Sequence, residues 1–198
     1  MDFFQATFIK VGGKMKTIEL NDFKRIGQTQ IYVYQTNRLC SNRYLLLDKD
    51  AGILMIDSGD GEDKLDFKPT LCLLTHGHFD HTSGVESDWK VYISDKEDPA
   101  LPYINIPKNA KKFENNLIKF GRFLIEIIPT PGHTPGSVCF FEKNNKVLFS
   151  GDTLFANGAY GRTDLGGSDI EIRKSLKKLL SLNYILLCPG HGEIEQRR

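Results

Sequence analysis

The chain has 198 residues, 40% of them hydrophobic and 26% charged, with a formal net charge of +1. That length suits one domain with a sizeable core, and the near-neutral balance offers no field for gripping nucleic acid. No run approaches the roughly 20 apolar residues of a membrane span, and "MDFFQATFIKVGGKMK" has neither the flanks nor the cleavage site of a signal peptide. The expectation is a single domain over residues 1–198, with residues 1–16 set apart as an N-terminal extension.

Short strand-like runs come first. "QIYVYQT", "SNRYLLLD" and "GILMIDSG" follow one another, with "KDAG" as a turn between the last two, and predict an antiparallel meander. "TLCLLTH" is continuously apolar, as in a strand covered on both faces. After "DHTSG" comes "KVYIS", then a loop rich in Pro, Lys and Asn from about Glu97 to Asn116. Its lysines Lys108, Lys111 and Lys112 read as solvated. A second group of strands follows in "NLIKFGRFLIEIIPTPGH", in "SVCFFEKNNKVLFSGD", which turns at Asn144-Asn145, and in "YILLCPGHG". Between the last two lies a helix, "SDIEIRKSLKKLLSL", capped by Ser168 or Asp169, with Ile172, Leu176, Leu179 and Leu180 as its apolar stripe. Two groups of strands with helices outside predict an α/β fold of two sheets packed face to face, thinly covered by helix.

Four cysteines, Cys40, Cys72, Cys139 and Cys188, lie far apart, and the last three sit in apolar runs. They read as reduced core thiols of a cytoplasmic protein.

Histidine is used sparingly and in one manner. Of five, three fall in "LLTHGHFDHTSG" (His76, His78, His81), one in "PTPGHTPGS" (His133) and one in "LLCPGHGE" (His191). Each segment follows an apolar run and enters a Gly/Pro-rich turn, and Asp152 in "VLFSGDTLF" does the same. In extended chain, side chains two apart share a side, so His76 and His78 can grip one ion, completed by His133. Asp80 and His81, where the chain turns, can face a second ion with His191, and Asp152 can bridge the two. Imidazole and carboxylate ligands suit zinc or another first-row metal better than calcium or magnesium.

Together, the H-x-H-x-D-H motif in "THGHFDH", "PGHTPGS", the "SGD" aspartate and the final "PGHG" resemble the metallo-β-lactamase-fold hydrolases, from about Asp57 to Gly192. The stretch "GDTLFANGAYGRTDLGGSD" is similar to the glyoxalase-II-like branch. This resemblance implies an αβ/βα sandwich of two mixed sheets in a minimal form, and a hydrolase of a small thioester or ester. It also implies two divalent ions, zinc first with iron or manganese as alternatives, and a bridging hydroxide as nucleophile. Asp80 would hold that hydroxide as the catalytic residue, Asp57 would hydrogen-bond a ligand histidine or merely start a turn, and Tyr160 and Arg162 would meet substrate. For Arg162 a pair with Asp164 that holds the loop is the preferred role. Asp152 stands where zinc β-lactamases of the best-known class carry cysteine, so antibiotic hydrolysis is not expected. His78 stands where flavodiiron relatives carry glutamate. Glyoxalase II itself continues into a helical glutathione-binding domain, whereas this sequence stops seven residues after His191, so reliance on glutathione is not expected. A mononuclear-iron persulfide dioxygenase is the alternative activity, ahead of a nuclease or a non-catalytic metal-binding module.

Overall fold

The computed structural model describes residues 16–197. Residues 1–15 of the expected N-terminal extension lie outside this range, while Lys16 opens the first strand, β1 (Lys16–Ile18). Then come β2 (Lys24–Arg25), β3 (Ile31–Gln35), β4 (Asn42–Asp48) and β5 (Gly52–Ile56), the expected antiparallel meander with one short strand added at its edge. β6 (Asp63–Leu65) pairs in parallel with β1, apart from both main sheets. β7 (Leu71–Leu73), β8 (Val91–Ile93) and β9 (Ala110–Lys112) continue the meander in parallel, completing a seven-stranded mixed sheet. A four-residue helix, α1 (Phe79–Thr82), lies between β7 and β8. Lys111 and Lys112, expected in a loop, are exposed on this edge strand, where lysine discourages pairing with another chain.

The second sheet has six strands. β10 (Leu117–Phe120), β11 (Phe123–Pro129), β12 (Val138–Glu142) and β13 (Val147–Gly151) form a second meander. After α2 (Asp169–Leu180), β14 (Leu186–Pro189) joins β13 in parallel, and β15 (Glu195–Gln196) closes the edge.

The sheets face each other across a core of Ile31, Tyr44, Leu46, Leu54, Ile56 and Leu73 from the first, and Phe123, Ile125, Phe140 and Phe149 from the second. The Tyr44 and Phe149 rings meet edge-on at 5.2 Å across the layer. Both outer faces are also covered, which is why so many strands read as unbroken apolar runs. On the second sheet the cover is α2, whose Leu179 packs with Ile128, Cys139, Leu148 and Leu187. On the first, β1 and β6 with Phe23, Phe67 and Trp89 do the same work without a helix.

Ser168 caps α2, its side chain accepting from Glu171 N. The helix sits rotated from the expected stripe: Leu180 is 55% exposed, while Ser175 is buried and donates to Pro131 O. At about 100° per residue Leu180 lies about 80° round from Ile172, too far to reach the sheet that Ile172 and Leu179 touch.

At one end of the sandwich a single carboxylate fastens the two sheets. Asp48, at the end of β4, accepts from Asp50 N and Ala51 N in its own turn and from Arg122 N and Nε in the turn between β10 and β11. Gly121 must be glycine here, since its φ is +54° and a Cβ would come 2.2 Å from the Asp48 carboxyl carbon. Hydrogen bonds from Ala51, Arg122 and Asp50 hold the Asp48 carboxyl well below the ordinary carboxylate range. A group so depressed adds stability that is full above its unfolded value, about 4, and is lost as pH falls through its folded value. Asp48→Asn should therefore lower Tm at neutral pH, with the gap to wild type narrowing below about pH 4. Thermal melts across pH 2–7 check this, and a gap independent of pH would contradict it.

Candidate metal centre

Strands β5 and β7 of one sheet and β11, β13 and β14 of the other end at the same rim. The loops that leave them carry Asp57, His76, His133, Asp152 and His191, and α1 adds Asp80 and His81. His76, His81 and His133 are buried to 3% exposure or less, so their rings meet each other rather than water.

Two sets of candidate ligand atoms form within this cluster, His76 with His78 and His133, and Asp80 with His81 and His191, and a third group of His76, His81 and Asp152 overlaps both. His78 Nδ1 lies 3.1 Å from His76 Nε2 and 2.8 Å from His133 Nε2. His191 Nε2 lies 3.2 Å from both His81 Nε2 and Asp80 Oδ2. Asp152 touches both sets, with Oδ2 3.5 Å from His133 Nε2 and from His191 Nε2, and Oδ1 3.4 Å from His81 Nε2. All seven residues singled out as ligands in the sequence are thus brought together.

Hydrogen bonds from outside the cluster aim the rings inward. Asp57 is the main anchor. Its backbone is in the left-handed region at φ 56°, and its Oδ2 lies 2.9 Å from His81 Nδ1. Thr75 gives its hydroxyl hydrogen to Asp57 Oδ2 at 2.8 Å, so its oxygen accepts from His76 Nδ1 at 3.0 Å. His133 Nδ1 donates to Arg162 O at 2.7 Å. Each of these bonds keeps a proton on Nδ1 and turns Nε2 towards the cluster.

The donor count then fails to close. In the first set the Nε2 atoms of His76 and His133 both present lone pairs to His78 Nδ1, which can give at most one hydrogen. Asp152 Oδ1 is buried with no hydrogen-bond partner. A cation satisfies such an arrangement. Ligands about 2.0–2.1 Å from a tetrahedral zinc lie about 3.3 Å apart, and the spacings here are 2.8–3.5 Å. The residues present fit first-row metal ions.

The two sets differ electrostatically. Burial, reinforced by its neighbour histidines, pulls His76 well below the ordinary imidazole value, takes His78 down to about 4, and lowers His133. All three are therefore favoured in the neutral form, the form of imidazole that a metal takes. Burial also opposes a charge on His81, but Asp152, Asp80 and Asp57 outweigh it and push that imidazole up to about 10. Burial works against the Asp80 anion too, yet His81 and His191 hold the carboxyl well below its ordinary range. The second set is therefore a place that demands positive charge.

Arg162 makes the local pair, its guanidinium on Asp164 at 2.5 and 2.6 Å with both side chains mostly exposed. Tyr160 is 42% exposed, and neither side chain hydrogen-bonds a member of the cluster. Sequence reasoning missed Glu97. Its buried Oε1 accepts from Gly77 N at 3.0 Å and Thr134 Oγ1 at 2.7 Å, tying the His76–His78 segment to the His133 loop, and burial raises its carboxyl. Nothing in "SDKEDPA" distinguishes this acid from a solvated one. The structural use of the Arg162 main-chain carbonyl leaves no trace in sequence either.

A family model described as "Metallo-beta-lactamase superfamily" matches residues 38–191. The hydroxyacylglutathione hydrolase GloC of Haemophilus influenzae is 34% identical, over 76% of this chain and 85% of its own. Among solved structures, the BLEG-1 B3 metallo-beta-lactamase superposes with a TM-score of 0.69 at 29% identity, covering 84% of this chain and 93% of that one. TTHA1623 in a di-iron-bound form gives 0.67 at 30% identity, covering 83% and 93%.

Glu97→Ala should cost about 1–3 kcal/mol of stability, because two buried donors lose their acceptor. Urea unfolding of both proteins measures the difference. A cost below about 0.5 kcal/mol, the scale of ordinary surface changes, would show that the tie carries no weight.

Proposed function

We propose that this chain, which belongs to the metallo-beta-lactamase superfamily, hydrolyses a small thioester or ester with two divalent cations. His76, His78 and His133 would hold one, Asp80, His81 and His191 the other, and Asp152 both. The observation that carries this reading is the Asp152 carboxylate, whose oxygens face histidines of both sets. When bound, such ions, zinc first with iron or manganese as alternatives, bring the pKa of a water towards neutrality and polarise an acyl carbonyl.

The chain's own residues orient and admit. Asp57 and Thr75 hold the Nδ1 protons of His81 and His76, so the Nε2 of each faces the ion, which on His81 would take the place of a proton. The Asp80 and His191 side chains, 16% and 28% exposed, are the most open of the cluster and give the reading its entry side. Asp80, strongly favoured as an anion, acts as a hydrogen-bond acceptor that orients the attacking water. Tyr160 and Arg162 at the rim are its candidates for substrate contact. A small molecule is the partner in this reading, with neither nucleic acid nor membrane. No helix among the described residues is long and apolar enough to span a bilayer. Three buried free thiols support a cytoplasmic setting.

Protein purified without added metal should carry about two first-row ions per chain. A chelator should abolish thioester turnover, and readdition should restore it. Folded protein without metal, or one tightly held iron with oxygen uptake on a persulfide, would overturn the reading.

Asp152→Ala should lose metal and reduce turnover at least 100-fold, about 2.7 kcal/mol in the barrier. Arg162→Ala, which leaves the carbonyl on His133 in place, should keep both ions and stay within about tenfold of wild type. Elemental analysis and kinetics on both variants decide, and an Asp152→Ala protein with full metal would remove the bridging role.

The GloC relative is named for a thioester substrate, and it supports the choice of substrate class. A glutathione thioester or simple-thiol ester should exceed a chromogenic cephalosporin in kcat/KM by more than about tenfold. The B3 β-lactamase likeness makes the cephalosporin the comparison that matters, and the reverse preference would replace the thioester reading.

A further inference from the structure

His191 is held differently from its companions. His76, His81 and His133 are each anchored through Nδ1 by a group outside the cluster, and His78 is buried. Among the described residues no group outside the cluster hydrogen-bonds the His191 ring, and its side chain is the most exposed of the seven at 28%. Its aim must come from its main chain.

That main chain is gripped from the opposite sheet. Asn42, at the start of β4 and 2% exposed, donates its backbone N–H to Gly190 O at 2.7 Å. Its side-chain amide donates to Pro189 O and to Gly192 O, both at 3.0 Å, so it brackets His191 on either side. Tyr44, two residues on, donates its hydroxyl to Pro189 O at 2.6 Å, and Ser41 pairs with His191 in an antiparallel bridge. Gly190 is pressed so close to the cluster that a Cβ there would come 2.1 Å from Asp152 Oδ1. With the loop packed this closely on the cluster, a small shift of its main chain carries the His191 ring off its aim.

We propose that Asn42 is a positioning residue, which sets the affinity of the second cation set, Asp80, His81 and His191, and leaves the first set untouched. The inference rests on the two-cation reading above and extends it to a residue 149 positions from the ligand it aims. Removing a partner bonded to a ligand's own ring costs metal affinity about 10–100-fold, and the same scale is expected where the ring is aimed through its main chain alone.

The test compares metal-stripped wild type with Asn42→Asp, which keeps the size but turns a shared donor into an oxygen facing two carbonyls. Zinc is titrated into each by calorimetry and by competition with a chromophoric chelator. Wild type should take two ions. In the variant the first should bind within about threefold of wild type and the second 10–100-fold more weakly. Tyr44→Phe, which keeps Asn42 and removes one donor from Pro189 O, should weaken the second ion alone by a smaller factor. If Asn42→Asp does not fold, Asn42→Ser, which withdraws the amide from both carbonyls, is titrated in its place. An unchanged second affinity, or equal loss at both sites, overturns the inference while leaving the two-cation reading intact. A wild type that takes one ion overturns that reading, and the inference with it.

Discussion

Three carboxylates, those of Asp57, Asp80 and Asp152, come within 2.9–3.6 Å of the fully buried imidazole of His81. Burying that much negative charge is tolerable only with positive charge among them, because an unpaired ion inside a protein costs several kcal/mol. Either a proton on His81 or a cation beside it meets the need. The rest of the rim is arranged around this demand. The neutral trio of His76, His78 and His133 lies on one side, Asp152 faces both groups, and the most open side chains lie towards solvent.

Such a concentration of charge needs a stiff frame, and the frame comes from strand ends. Two sheets that each bury both faces place their parallel-running strands so that several carboxyl-terminal loops share one edge. Hydrogen bonds then cross between the sheets beside the cluster, from Asn42 and Tyr44 to Pro189 and from Val138 N to Thr75 O. At the far end Asp48 and the Arg122 turn make the equivalent link. The cluster thus sits between layers fastened at both ends.

The residues of the cluster are legible in sequence because each follows an apolar run and enters a turn, so side chain and strand end announce each other. The strand groups and α2 are legible for the same reason of periodicity. What stays hidden is whatever depends on a distant partner. Asn42 is ordinary until Pro189 and Gly192 are folded against it, and Glu97 reads as one acid in a charged run until Gly77 and Thr134 reach it. Asp57 reads as a turn residue or as a partner of histidine, and only its approach to His81 Nδ1 separates the two. Leu180 fails as a core residue because the helix settles on Ile172 and Leu179, with polar Ser175 pinned to Pro131 O. The pairing of β1 with β6 has no local signature, being made across 47 residues.

Each set of ligating atoms draws on both sheets. His78 meets His133 across 55 residues of chain, and His81 meets His191 across 110. An ion held in either set is therefore a rivet between the layers, joining stretches of chain far apart in sequence and stabilising the folded state by its own binding free energy. Its grip on the folded state grows with free metal concentration, so the endurance of the sandwich follows the metal supply around it. Starved of metal, such a protein loses cohesion at the rim where its two layers meet.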